Sequence, residues 1–166
     1  MANLRPDRAA FTMTEERQAT ILLIEDEPSD AALIRRGFTK AKVVNPIVHL
    51  TNGDEALAYL AGVGQYADRV QFPLPALILL DLKLPGMKGL ELLQWKRARR
   101  EVRRIPVVVL TSDRDPATVD AAYDLGASSY LVKPGNPTEI VRMVEIVQRY
   151  WIALNEPPRL VISAKT

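Results

Sequence analysis

Five short runs with apolar interiors recur along the chain, each followed by polar, glycine or proline positions. They are Thr20 to Ile24 (TILLI), Asn45 to Leu50, Ala76 to Asp81 (ALILLD), Ile105 to Leu110 (IPVVVL) and Ser128 to Val132 (SSYLV). The third is bounded by Pro75 on one side and by Pro85, Gly86 and Gly89 on the other, so it reads as a central strand of a parallel sheet. The segments between the runs have a different period. Ser29 to Lys40, with Ala32, Leu33, Phe38 and then Ala41 apolar, is spaced as a helix that Pro28 opens. Further helices are expected from about Asp54 to Ala61, from Leu90 to Arg99 with Leu90, Leu93 and Trp95 apolar, and from the Asp115–Pro116 cap to about Asp124. Asn136 and Pro137 repeat that cap signal before a long helix from Thr138 to about Leu154. Gly62 to Pro75 has no period and reads as an extended connection. Alternation of strand and helix predicts a doubly wound parallel sheet of five strands with helices on both faces, because parallel neighbours require crossover connections.

Composition narrows the picture. A chain of 166 residues with 48% hydrophobic content is sized for one compact domain. Its 22 basic and 20 acidic residues are interspersed, and a net charge of +2 does not argue for nucleic acid. The densest basic stretch, Lys96 to Arg104 (KRARREVRR), could bind phosphate, but it reads more simply as a solvated helix end favoured by the helix dipole. With no cysteine there is neither a disulfide framework nor a thiolate metal site, as fits a cytoplasmic protein. No apolar stretch is long enough to span a membrane. Residues 1–19 lack the apolar segment of a secretory signal and read as a flexible leader, leaving 20–154 as the domain and 155–166 as a tail. His49, the one histidine, lies within a strand and reads as a packed side chain rather than a catalyst.

The ends of the strands carry the chemistry. The first ends at Glu25 and Asp26, the third at Asp81, the fourth at Thr111 and the fifth at Lys133. Asp81 alone could merely cap its turn, since Asp is common in such loops. In an open α/β sheet, however, the carboxyl ends of the strands line the ligand crevice, and all these residues converge on it. Three carboxylates crowded together repel unless a cation joins them, and an all-oxygen ligand set suits magnesium. A phosphoryl group on Asp81 would be neutralised by that ion and by Lys133, with the Thr111 hydroxyl donating to one of its oxygens.

The segments ILLIEDEPSD, LILLDLKLPGMKG, VVVLTSD and GASSYLVKP resemble the signature segments of response-regulator receiver domains of two-component systems, and the likeness covers about Thr20 to Leu154. The resemblance implies a flavodoxin-like fold and a signalling module rather than an enzyme. Asp81 would be the phosphoacceptor, Glu25 and Asp26 the acidic pair holding magnesium, and Thr111 the switch hydroxyl. Lys133 would bind phosphate, Tyr130 would be the switch aromatic, and Lys83 would offer its backbone carbonyl to the metal. It also implies a cis bond between Lys133 and Pro134. The long loop before the Asp81 strand and the tail YWIALNEPPRL resemble the stand-alone regulators that accompany phytochrome-type sensor kinases, so such a histidine kinase is the expected partner. Glu25 in place of a more usual Asp, Lys83 and Lys88, and Gly135 depart from the common pattern without touching the acceptor, the threonine or the lysine.

Two other readings compete. A phosphatase of the haloacid dehalogenase type would need an acid two residues after its nucleophile, and Lys83 stands there. A docking module that is never phosphorylated would have no use for the complete residue set. Finally, Ile140 to Leu154 carries more apolar residues than one stripe against a sheet can bury, which predicts a homodimer through the last helix and tail.

Overall fold

The computed structural model describes residues 19–158 and Leu160. The leader expected over 1–19 lies, apart from Ala19, outside the described residues, as do position 159 and the tail beyond Leu160.

Five parallel strands, β1 (Ile21–Ile24), β2 (Ile47–Leu50), β3 (Leu77–Leu80), β4 (Val107–Thr111) and β5 (Ser129–Val132), form one sheet in the order β2-β1-β3-β4-β5. Their alternating residues separate two cores. Leu22, Ile24, Ile78, Leu80, Val107 and Val109 face helices α2 (Gly53–Ala61), α3 (Gly89–Arg97) and α4 (Pro116–Asp124). Ile21, Leu23, Leu77, Leu79, Val108 and Leu110 face α1 (Pro28–Lys40) and α5 (Pro137–Gln148). Burial on both faces is why β1, β3 and β4 read as continuous apolar runs. The strand order reverses direction at β1, so the crevice between the ends of β1 and β3 is the switch point where such sheets bind ligands.

Local signals start the helices where expected. Asn52 Oδ1 accepts the Glu55 N–H (2.8 Å), and Asn136 Oδ1 accepts the Thr138 N–H (2.8 Å), with Pro137 in the first turn. Gly53 donates its N–H to Pro85 O (3.1 Å). A Cβ there would lie 1.8 Å from the Met87 carbonyl oxygen, so only glycine lets α2 start against the loop that leaves β3.

Several details differ from the sequence reading. The buried face of α1 is Ala31, Ile34, Gly37 and Phe38, so of the apolar positions Ala32, Leu33, Phe38 and Ala41 only Phe38 belongs to it. The Gly62 to Pro75 segment is not simply extended. It turns through a short 3-10 helix (Gly64–Tyr66), packs Tyr59, Tyr66 and Phe72 edge to face, and sends Arg69 to the carbonyls of Tyr59, Leu60 and Phe72. Lys96 is buried, not solvated, and donates to Arg103 O (3.1 Å), while Arg99 stacks over Trp95. The last helix is α-helical only to Gln148, and Arg149–Leu154 continue it as a π-helix.

Candidate functional site

The site lies at the carboxyl ends of β1, β3, β4 and β5. Glu25 follows β1, its backbone N–H held by Leu50 O on one side (3.0 Å) while Ile24 O receives the Asp81 N–H on the other (3.0 Å). Parallel pairing therefore sets the two acids level. Glu25 and Asp81 are both buried, and each provides one oxygen to a group with Asp26 in which all the ligand atoms lie within 4.8 Å of one another. That oxygen-only set, two of its three members enclosed by protein, fits a hard divalent cation. Lys83 sends its side chain to solvent, and its backbone N–H donates to Asp81 Oδ1 (3.2 Å), so the main chain there runs along the acidic cluster.

Lys133 reaches into the same cluster from the end of β5. Its backbone N–H donates to Thr111 O (2.8 Å), which continues the β4–β5 ladder. Its Nζ donates to Glu25 Oε2 (2.6 Å), Asp30 Oδ2 (2.9 Å) and Asp81 Oδ2 (3.1 Å). No peptide bond among the described residues is cis, so the expected cis bond before Pro134 is instead trans. Trans is the lower-energy form before proline, and nothing in the site calls for the other. With the Lys133 backbone fixed by β4, the four-carbon stem spans to the carboxylates without a turned peptide.

Burial pushes the Glu25 carboxyl up to about 7, and the hydrogen bond and charge of Lys133 offset only part of that rise. Burial would lower Lys133, but its bonds to Glu25 and Asp30 and the charge of Asp81 outweigh burial and raise it, so the ammonium stays charged. Thr111 is fully buried and accepts the Asp113 N–H at Oγ1 (3.4 Å). Tyr130 donates its hydroxyl to Asp113 O (3.0 Å), and burial first, then nearby Asp113, Asp115 and Asp81, raises the phenol and keeps it neutral. Thr111 and Tyr130 thus meet at one loop residue.

The fold gathers Glu25, Asp26, Asp81 and Lys133 into one cluster and sets Thr111 beside Lys133 by backbone pairing, with three additions. Asp30, in the first turn of α1, is the third acid on Lys133. His49 Nε2 donates to Glu25 O (2.8 Å), which fits the packed role read from the sequence. The Tyr123 hydroxyl accepts the Tyr130 N–H (3.1 Å) on the open edge of β5. Asp30 gave no distinct signal, because an acid in a first helical turn is already accounted for by the helix dipole.

The doubly wound five-stranded sheet, with acids, a threonine and a lysine at its carboxyl edge, has the architecture of the receiver domains that the sequence resembles. The family profile of the response regulator receiver domain matches residues 21–145, and the chain belongs to that family. It is 35% identical over 132 residues to response regulator Rcp1 of Synechocystis sp., covering 80% of this chain and 88% of that protein. The Mn(2+)-bound structure of Rcp1 superposes with a TM-score of 0.80 at 33% identity, covering 85% of this chain and 99% of that one. The phosphorylated cyanobacterial phytochrome response regulator RcpA gives a TM-score of 0.81 at 32% identity over 86% and 99%. For the bacteriophytochrome response regulator RtBRR the values are 0.68, 39%, 85% and 84%. The chain is thus similar to phytochrome-associated response regulators in sequence and in fold. No helix among the described residues is long and apolar enough to cross a membrane.

Proposed function

We propose that the chain is a single-domain response regulator, organised as a receiver over 20–154 with a leader and a tail. It accepts a phosphoryl group on Asp81 from the phosphohistidine of a sensor histidine kinase. The observation that carries this reading is the convergence of Lys133 Nζ on Asp81 Oδ2 (3.1 Å) beside a three-carboxylate cluster. An Asp81 oxygen forms the new O–P bond as the P–N bond of the donor breaks, and the departing imidazole takes a proton from solvent. Glu25, Asp26, Asp81 and the Lys83 carbonyl would hold magnesium, which would supply positive charge for the phosphoryl oxygens. Lys133 neutralises a further oxygen, and the Thr111 hydroxyl donates to another. Tyr130, linked to the Thr111 loop through Asp113 O, passes the change to the outer surface.

The output is altered protein contact rather than turnover of a substrate, and the setting is the cytoplasm. Similarity to RcpA and RtBRR supports a phytochrome-type kinase as partner. A homodimer through the last helix and tail is supported by Ile146, Tyr150 and Leu154, which remain 64%, 54% and 69% exposed. Labelling with acetyl phosphate and magnesium tests the central claim. The native chain is expected to take up stoichiometric, acid-stable and base-labile label, and Asp81→Asn none. Label at the native rate in the Asn variant would sink the assignment.

A further inference from the structure

We propose that Asp30 is a positioning residue for Lys133, the acid that holds the lysine in place while the other two carboxylates attend to a cation and a phosphoryl group. The inference rests on the phosphoacceptor reading of Asp81 and assigns a further residue to that site. Lys133 Nζ has three acidic partners, but they are not equivalent. Glu25 and Asp81 belong to the cluster that can hold a cation, and Asp30 does not. A cation and a phosphoryl group at the strand ends would compete with the lysine for the oxygens of Glu25 and Asp81. Asp30, outside that cluster, meets no such competition for the oxygen it offers Nζ. It stands on a different element from the others, in the first turn of α1, a rigid support opened by Pro28. With its side chain only 26% exposed, the Asp30–Lys133 pair is shielded enough to hold a geometry, unlike an open surface pair. An ammonium has three N–H groups. Fixing one of them on Asp30 restricts the other two to the sector occupied by Asp81 and Glu25, which is where phosphoryl oxygens would lie. Losing Asp30 would leave Lys133 charged but free to swing.

Binding of beryllofluoride, a stable phosphoryl mimic, to the full chain with magnesium separates this role from a structural one. Fluorine NMR titration of Asp30→Ala is expected to show mimic affinity about tenfold weaker, the usual scale for losing an outer partner of a site. Asp30→Asn, whose amide oxygen still accepts from Nζ, should recover part of that loss. Magnesium affinity without the mimic should stay within about twofold of native, because Asp30 lies outside the cation cluster. Native mimic affinity in Asp30→Ala would overturn the proposal. So would an equal loss of magnesium affinity, or a drop in unfolding stability that is the same with and without mimic, which would mark Asp30 as a helix-terminal acid only. A native chain that binds no mimic at all would instead refute the phosphoacceptor reading on which the proposal rests.

Discussion

Glu25 is the residue whose protonation the site controls most strongly. Its carboxyl is raised from 4.5 to about 7 by burial, so without a cation the folded chain holds that proton below about pH 7. The folded state therefore binds a proton that the unfolded state has released. That contribution to stability is complete below pH 4.5 and is lost as pH rises through about 7. A cation reverses the preference, since it requires the carboxylate and must displace the proton. Magnesium affinity is expected to be about tenfold weaker at pH 6 than at pH 8, with proton release on binding at the lower pH. Calorimetry in buffers of differing ionisation enthalpy reads both effects, and an affinity flat across that range would contradict the assignment of Glu25. Lys96 gives the opposite case. Burial lowers it from 10.5 to about 8, so its stabilising contribution is present above 10.5 and lost as pH falls through 8. Lys96→Met should therefore be more stable than the native chain at pH 7 in chemical denaturation, by a margin that shrinks as pH rises toward 10.5. A margin that grows with pH would be the wrong sign. The strand-end residues were legible in the sequence because Asp81, Glu25, Thr111 and Lys133 each close an apolar run. Lys96 was not, because a basic run shows charge but not where a long aliphatic stem lies.

Helices α1 and α5 show how an element can be located by pattern while its face is missed. Of the apolar positions read for α1, Ala32, Leu33, Phe38 and Ala41, only Phe38 is buried, and the interface includes Gly37, which carries no apolar signal. A Cβ on Gly37 would lie 2.7 Å from Val144 Cβ and 3.0 Å from Val141 O, so the two helices touch there at backbone distance. Glycine to alanine within a helix ordinarily stabilises it. Here the close approach dominates, and Gly37→Ala is expected to destabilise the fold by about 1–3 kcal/mol through overpacking. A urea midpoint at or above native would show that α5 moves aside at little cost. The connection from α2 to β3 was illegible for a related reason. Its order comes from three rings meeting edge to face and from Arg69 occupying carbonyls at the end of α2, contacts with no sequence period. The doubly wound parallel sheet, by contrast, was legible from the alternation of strand and helix, because parallel neighbours require crossovers.

For the whole molecule, the open question in the sequence was what covers the surplus apolar residues of the last helix. Ile140, Val141, Val144 and Val147 are buried, and Met143, Trp151 and Ile152 pack partly against the same core. Among the described tail residues, Leu160 packs against the core on the opposite face of the sheet from α5. What remains is Ile146, Tyr150 and Leu154, spaced four apart and so sharing one side of the helix and its π-helical extension. A second copy presenting the same stripe would bury both at once, and a twofold pair is the commonest arrangement that does so. Trp151 is a poor probe because it is half buried, and a charge there would strain the core as well as the interface. Ile146→Glu combined with Leu154→Glu changes only exposed positions, so it should leave the unfolding midpoint near native while converting a dimer to a monomer. Light scattering of native and doubly substituted chains at micromolar concentration, with and without phosphorylation, gives the outcome directly. A native chain that is monomeric in both states would refute the pairing. A native dimer that the double substitution leaves intact would move the interface away from this stripe.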